Sequence, residues 1–141
     1  MEITKDNIKF IIFKKKHTAT IIEIPKDKHT FLIPRFVEYK QEQFKIISIS
    51  YTAYTSSGKL ENIIFPEDSE VESFENGSFH YMSNLKKLQI PKSLKFIGDY
   101  WISSSSNLSE IEISPNNKHF SYVENKFLVG KSSEDSETFD T

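Results

Sequence analysis

Residues 85–100 read LKKLQIPKSLKFIGDY, and the fold turns on whether this phrase stands alone or recurs. Leu85-x-x-Leu88-x-Ile90-Pro91 matches Leu60-x-x-Ile63-x-Phe65-Pro66, which starts twenty-five residues earlier. It also matches Leu108-x-x-Ile111-x-Ile113, twenty-three residues later, where Ser114 is inserted before Pro115. The second half of the unit is in register as well. A pair of residues precedes each leading Leu: Ala53-Tyr54, Ser78-Phe79 and Trp101-Ile102. Five residues before the second member of each pair stands a further apolar position, Ile49, Phe74 and Ile97. Agreement at four separate places in three copies identifies an internal repeat.

The spacing sets the physics of one unit. In Ile63-x-Phe65, Leu88-x-Ile90 and Ile111-x-Ile113 the apolar residues alternate, so each pair faces one side of a short strand. Proline ends the strand because it cannot donate to a ladder. Leu94-x-x-Ile97 and Val71-x-x-Phe74 then return along the opposite wall, and the aromatic-containing pair turns the chain back through a tight or short helical turn. One such unit cannot bury its apolar side alone, and stacking on its neighbours makes the core. The expected architecture is an α/β leucine-rich-repeat solenoid, strand-rich, with short parallel strands and turn or short helical returns.

The pattern resembles the BspA-like class of leucine-rich repeats. That family's unit runs Leu-x-x-Ile-x-Ile-Pro, two or three residues, Val-x-x-Ile-Gly-x-x-Ala-Phe, then a polar turn. Leu85 to Pro91, Leu94, Ile97, Gly98, Trp101 and Ile102 occupy those places. Leu60 to Pro66, Val71, Phe74, Ser78 and Phe79 do so in the preceding unit, with two extra residues after Pro66. A partial earlier copy is Ile46, Ile49, Ala53 and Tyr54, with Ile33-Pro34 upstream of a longer insertion. The segment SPNNKHFSYVENKFLVGK is similar to the family's Asn-x-x-Phe interruption. The resemblance covers about residues 33–131. The chain departs from the family where Ser57, Met82 and Ser105 replace the usual Cys, and Gly at the turn survives only as Gly98.

The flanks carry different signals. IKFIIFKKKHTATIIEI, residues 8–24, has two β-rich apolar runs around a Lys-rich tip and reads as a β-hairpin that caps the N-terminal end of the solenoid. Lys14–Lys16 read as a solvated tip in preference to a phosphate or membrane contact. The expected organisation is residues 1–43 as hairpin and capping region, 44–131 as the repeat solenoid and 132–141 as an acidic polar tail. With no evident C-terminal cap after its last unit, the chain reads as a shortened member or a piece of a longer array.

Composition narrows the function. The 141 residues are 37% hydrophobic and 13% aromatic, which supports a real core. The net charge of −2 shows no basic surplus for nucleic acid. The absence of cysteine removes disulfides, thiolate metal sites and a Cys nucleophile. The longest apolar run near the N-terminus, Phe10–Phe13, is far short of a membrane span, and no signal peptide is evident. His17, His29, His80 and His119 are scattered, and phosphate-binding glycine loops and nucleophile elbows are missing. No catalytic residue, metal ligand or cofactor is therefore expected. Sequons stand at Asn76-Gly77-Ser78 and Asn107-Leu108-Ser109.

The candidate protein-binding face consists of the strand residues that point away from the core: Asn62, Ile64, Lys87, Gln89, Glu110 and Glu112. Lys86, Tyr81 and Tyr100 add neighbouring basic and aromatic surface. The resemblance implies a non-enzymatic surface-antigen-like module that adheres to host cells or extracellular-matrix proteins such as fibronectin, displayed on a cell surface. The alternative is a cytoplasmic leucine-rich-repeat scaffold or adaptor, which suits the missing export signal. An enzyme ranks third. Open strand edges add end-to-end self-association as a further expected partner interaction.

Overall fold

The computed structural model describes residues 1–25, 27–50, 59–80, 82–102, 107–123 and 127–130. Ala53-Tyr54, Ser57, Tyr81, Ser103–Ser106 and the 132–141 tail lie outside the described residues. Thirteen strands are assigned within them: β1 (Glu2–Lys5), β2 (Ile8–Phe13), β3 (Thr18–Glu23), β4 (Thr30–Leu32), β5 (Phe36–Tyr39), β6 (Glu42–Ile49), β7 (Asn62–Ile64), β8 (Ser73–Phe74), β9 (Lys87–Ile90), β10 (Phe96–Ile97), β11 (Glu110–Ile113), β12 (Phe120–Val123) and β13 (Phe127–Gly130).

Two walls enclose one core. The first is a four-stranded parallel sheet in the order β11-β9-β7-β4. The second runs β1-β2-β3-β6-β8-β10, with β5 also paired to β6. β12 and β13 form a separate antiparallel pair. The repeat spacing reappears as register: Asn62 pairs with Lys87 and Lys87 with Glu110. Identical positions of successive units therefore stack into columns. Phe31, Ile63 and Leu88 are buried in one inward column, with Ile111 next in line and half-buried. On the facing wall Ile21, Ile49 and Phe74 are buried in another, which Ile97 continues.

Phe74 is the hub of this core. Its ring meets Phe79 edge-on at 4.9 Å and stacks near Phe65 at 5.8 Å and Trp101 at 5.9 Å, so rings from its own coil and from the next converge on it.

Helical returns and the α/β character they would bring are not found; the structure is a strand-rich solenoid with no helix among its described residues. Among the described residues the chain passes between the walls through turns and bends, and the return strands β8 and β10 are only two residues long. The reason lies in where the backbone donors go. Gly77 N–H donates to the Asp99 carbonyl at 2.9 Å and Phe79 N–H to the Trp101 carbonyl at 2.6 Å, both in the next coil. Those amides are thereby unavailable to a helical ladder. Only isolated bonds three residues apart remain in the turn, Ser78 N–H to Glu75 O and His80 N–H to Gly77 O.

The N-terminal hairpin forms as expected, β2 antiparallel to β3, and its residues Ile8, Phe10, Ile12, Ala19 and Ile21 are buried in the common core. It is flanked by β1, which the sequence reading did not single out, and β3 lies parallel to β6. The longer insertion after Pro34 is a second hairpin, β5–β6. Arg35 ties it to the two extra residues after Pro66, pairing with Asp68 at 3.1 Å and Glu70 at 3.2 Å.

Both two-residue loops need left-handed backbone. Asp6 and Asn7 supply it between β1 and β2 with φ of 53° and 62°, residue types that tolerate it. Between β5 and β6 the same places fall to Lys40 (φ 50°) and Gln41 (φ 67°), which carry a Cβ penalty. Gln41→Gly is expected to stabilise the protein by about 1 kcal/mol, read as a raised thermal midpoint. An unchanged or lowered midpoint would contradict this account of the turn.

Candidate ligand-binding strand face

Parallel pairing places the six expected face residues in two columns. Thr30, Asn62, Lys87 and Glu110 form the first; Leu32 and Ile64 share one register position, and Gln89 and Glu112 continue the same line. Because the inward residues alternate with these, all point away from the core, and each is partly or fully exposed.

The columns are cross-linked. Asn62 Nδ2 donates to Thr30 Oγ1 at 3.2 Å. Lys87 Nζ lies 2.7 Å from a Glu112 oxygen and 3.9 Å from Glu110. Lys86 lies 3.4 Å from Glu61. Gln89 Oε1 accepts from the Phe65 amide at 2.8 Å, and its Nε2 donates to Glu112 at 3.4 Å. The hydrogen bond to Glu112, with the charges of Glu110 and Glu112 behind it, raises the Lys87 pKa above the ordinary lysine value. One lysine against two carboxylates leaves this end of the face acidic, so no basic step separates the apolar end from the acidic one.

At the other end the face is apolar. Leu32 is 51% exposed beside Ile64, and a cleft of about 290 Å³ opens next to it. Ile8, Phe10, Pro34, Phe36 and Val37 line the cleft with Leu32, while Lys5 reaches across to the Glu38 carbonyl at 3.3 Å. Leu32 was not among the residues expected on this face. The signal was present, since Phe31-x-Ile33-Pro34 has the same alternation as Ile63-x-Phe65-Pro66 and forces Leu32 outward. A smaller groove of about 130 Å³ lies at the strand ends, with Pro66, Pro91 and Pro115 in its lining.

Tyr100 is 77% exposed, away from these columns in the return turn, and takes φ 54° at the place where the preceding coil has Gly77 at φ 68°. The sequons are engaged in structure: Asn76 Oδ1 accepts the Asp99 amide at 2.8 Å, and Asn107 Nδ2 donates to the Ser83 carbonyl at 2.6 Å. Among the described residues no group of three or more His, Asp and Glu is gathered where a metal could sit, and no helix is long and apolar enough to cross a membrane.

The Asn-x-x-Phe segment supplies the remaining geometric mark. Buried Asn117 donates to the carbonyls of Pro91 at 2.8 Å and Leu94 at 3.1 Å, and accepts from the amides of His119 and Phe120 at 2.7 and 2.8 Å. One side chain thus binds the interruption to the preceding coil with all its polar capacity used. The BspA-type leucine-rich repeat region matches residues 6–128 in six copies. The chain belongs to the BspA-type leucine-rich repeat family.

Several solved structures agree with this chain in fold. A leucine-rich repeat protein from Bacteroides ovatus is 26% identical with a TM-score of 0.66, over 77% of this chain and 28% of that protein. The pneumococcal vaccine antigen PcpA is 20% identical with a TM-score of 0.54, over 84% of this chain and 39% of PcpA. A leucine-rich repeat protein from Bacteroides capillosus is 16% identical with a TM-score of 0.53, over 80% of this chain and 98% of that protein. The chain therefore spans well under half the length of the first two. No curated protein matches it.

Proposed function

We propose that this BspA-type chain is a non-enzymatic protein-binding module whose partner lies across the strand face and seats an apolar side chain in the cleft beside Leu32. The observation that carries this reading is the juxtaposition of that cleft with exposed Leu32 and half-buried Ile64, continuous with the Asn62, Lys87, Gln89, Glu110 and Glu112 columns. An apolar anchor point beside a polar, register-fixed surface is the arrangement in which a few buried contacts supply most of the binding energy. The partner has an exposed apolar side chain flanked by basic groups that meet Glu110 and Glu112. In this reading residues 1–43 act as the cap and lend Thr30 and Leu32 to the face, and 44–131 carry the rest of it.

In keeping with the family resemblance, adhesion to a host-cell or extracellular-matrix protein at a cell surface is the role proposed for this face. The likeness to PcpA supports the fold alone, and the role rests on the exposed apolar end. The test measures binding to immobilised fibronectin and other matrix proteins by biolayer interferometry, with antibody labelling of intact and permeabilised cells alongside. Leu32→Arg combined with Ile64→Arg is expected to weaken a matrix interaction roughly a hundredfold or more, the loss typical of a central hot spot. Matrix binding unaffected by this double variant would move the site off the strand face. Labelling seen only after permeabilisation would replace adhesion with an intracellular scaffold.

A further inference from the structure

The tips of two hairpins that are separate in sequence lie side by side. Lys14–His17 join β2 to β3, and Lys40-Gln41 join β5 to β6. Parallel pairing of β3 with β6 brings them together: the Lys45 amide donates to the His17 carbonyl at 3.0 Å, His17 Nδ1 lies 3.8 Å from Glu42, and the His17 ring stacks on Phe44 at 6.0 Å. Lys14, Lys15, Lys16 and Lys40 are all exposed, and none forms an ion pair among the described residues. Lys40 leans over the Tyr39 ring at 5.4 Å. The carboxylates on the facing hairpin are Glu42, beside His17, and Glu38; Glu2 pairs with Lys9, and Lys45 with Glu70. A chain of net charge −2 thus carries one strongly cationic pole.

The same pole exposes apolar side chains. Phe13, at the end of β2, is 45% exposed, and Met1 is 49% exposed. The Ile12 amide donates to the Met1 carbonyl at 2.8 Å, which holds Met1 next to the lysine tip. Phe13 follows the outward alternation of β2, so it points to solvent while Ile8, Phe10 and Ile12 fill the core.

We propose that this pole docks on an anionic lipid surface, with Phe13 entering the headgroup layer and Lys14, Lys15, Lys16 and Lys40 meeting lipid phosphates and carboxylates. Lysines attract any polyanion, but an aromatic ring held in water beside Lys14–Lys16 gains only where an apolar phase lies behind the charges. That distinction favours a bilayer over a nucleic acid or a sulfated polysaccharide. The surface lies on the hairpin tips and is independent of the strand-face reading.

The test is co-sedimentation of the full chain with phosphatidylcholine vesicles and with mixed phosphatidylcholine–phosphatidylserine vesicles, at low and physiological salt. The mixed vesicles are expected to bind the protein and the neutral ones to leave it in solution, with binding weakened by salt. Lys14→Gln, Lys15→Gln and Lys16→Gln together are expected to lower affinity by roughly a hundredfold, since each lysine near an anionic surface contributes roughly fivefold. Phe13→Ser, which leaves every charge in place, is expected to lower it by roughly tenfold. Both variants alter exposed side chains, and unchanged thermal midpoints would show that the fold is intact. Absence of binding to the mixed vesicles overturns the proposal. So does lysine-dependent retention on heparin with Phe13→Ser indistinguishable from the parent protein on vesicles, which would mark a polyanion site without a lipid component.

Discussion

Phe74→Ala is expected to destabilise the protein by about 4 kcal/mol, in the range found for deleting a buried phenylalanine ring. Phe74 is fully buried, and its ring touches aromatic rings from three other places along the repeat, Phe65, Phe79 and Trp101. Phe79 and Trp101 belong to turns of adjacent coils that the Phe79 N–H to Trp101 carbonyl bond holds together, so the walls cannot close over the vacated volume. A cavity remains, and its cost adds to the lost transfer energy. For a chain of this size the change corresponds to a fall in thermal midpoint of roughly 10 to 15 °C. That is a large share of the total stability of an ordinary domain. Phe74→Leu keeps most of the volume and is expected to cost only about 1 kcal/mol. If Phe74→Ala melts within a few degrees of the parent protein, the hub assignment fails.

Gly98→Ala is expected to cost about 3 kcal/mol, by overlap instead of loss. A Cβ built on Gly98 would lie 2.5 Å from the Asn76 backbone nitrogen and 2.8 Å from the Glu75 carbonyl carbon. Backbone cannot swing aside as a side chain can. Gly98 N–H donates to the Phe74 carbonyl at 2.7 Å, Gly77 N–H to Asp99 O at 2.9 Å, and the Asp99 amide to Asn76 Oδ1 at 2.8 Å. Making room for one methyl group separates the second and third coils and strains all three bonds. Gly77→Ala is the control. Gly77 has left-handed backbone, with a φ of 68°, so that variant is expected to cost only about 1 kcal/mol. Urea melts of the two variants should therefore separate clearly, and equal losses would refute the close-approach argument.

Much of the strand wall was legible in the sequence because strand alternation has a strict period of two. Once Ile63, Leu88 and Ile111 are aligned, Asn62, Lys87 and Glu110 must face away from the core, and the structure places them there. The return wall was only half legible. Ile49, Phe74 and Ile97 line up in one column as their spacing required, yet the described turn after Phe74 is not helical. Periodicity over five residues does not separate a helical turn from an open one; the choice fell to Gly77 and Phe79, whose amides found carbonyls in the next coil. Leu32 was missed because its unit is interrupted by the β5–β6 hairpin, which places its strand and its return far apart in sequence.

The sequence by itself determined the repeat, its register and the residues that fill the core, because these follow from local alternation and from spacing that recurs in each unit. Only the tertiary structure decided what the surface is. It neutralised Lys87 with two glutamates from the neighbouring strand, opened a cleft beside Leu32 between segments far apart in the chain, and brought the β5–β6 hairpin against His17 at the end of the Lys14–His17 turn. Charge and exposure depend on which residues meet across coils, and that depends on how the units stack, which a local pattern does not encode.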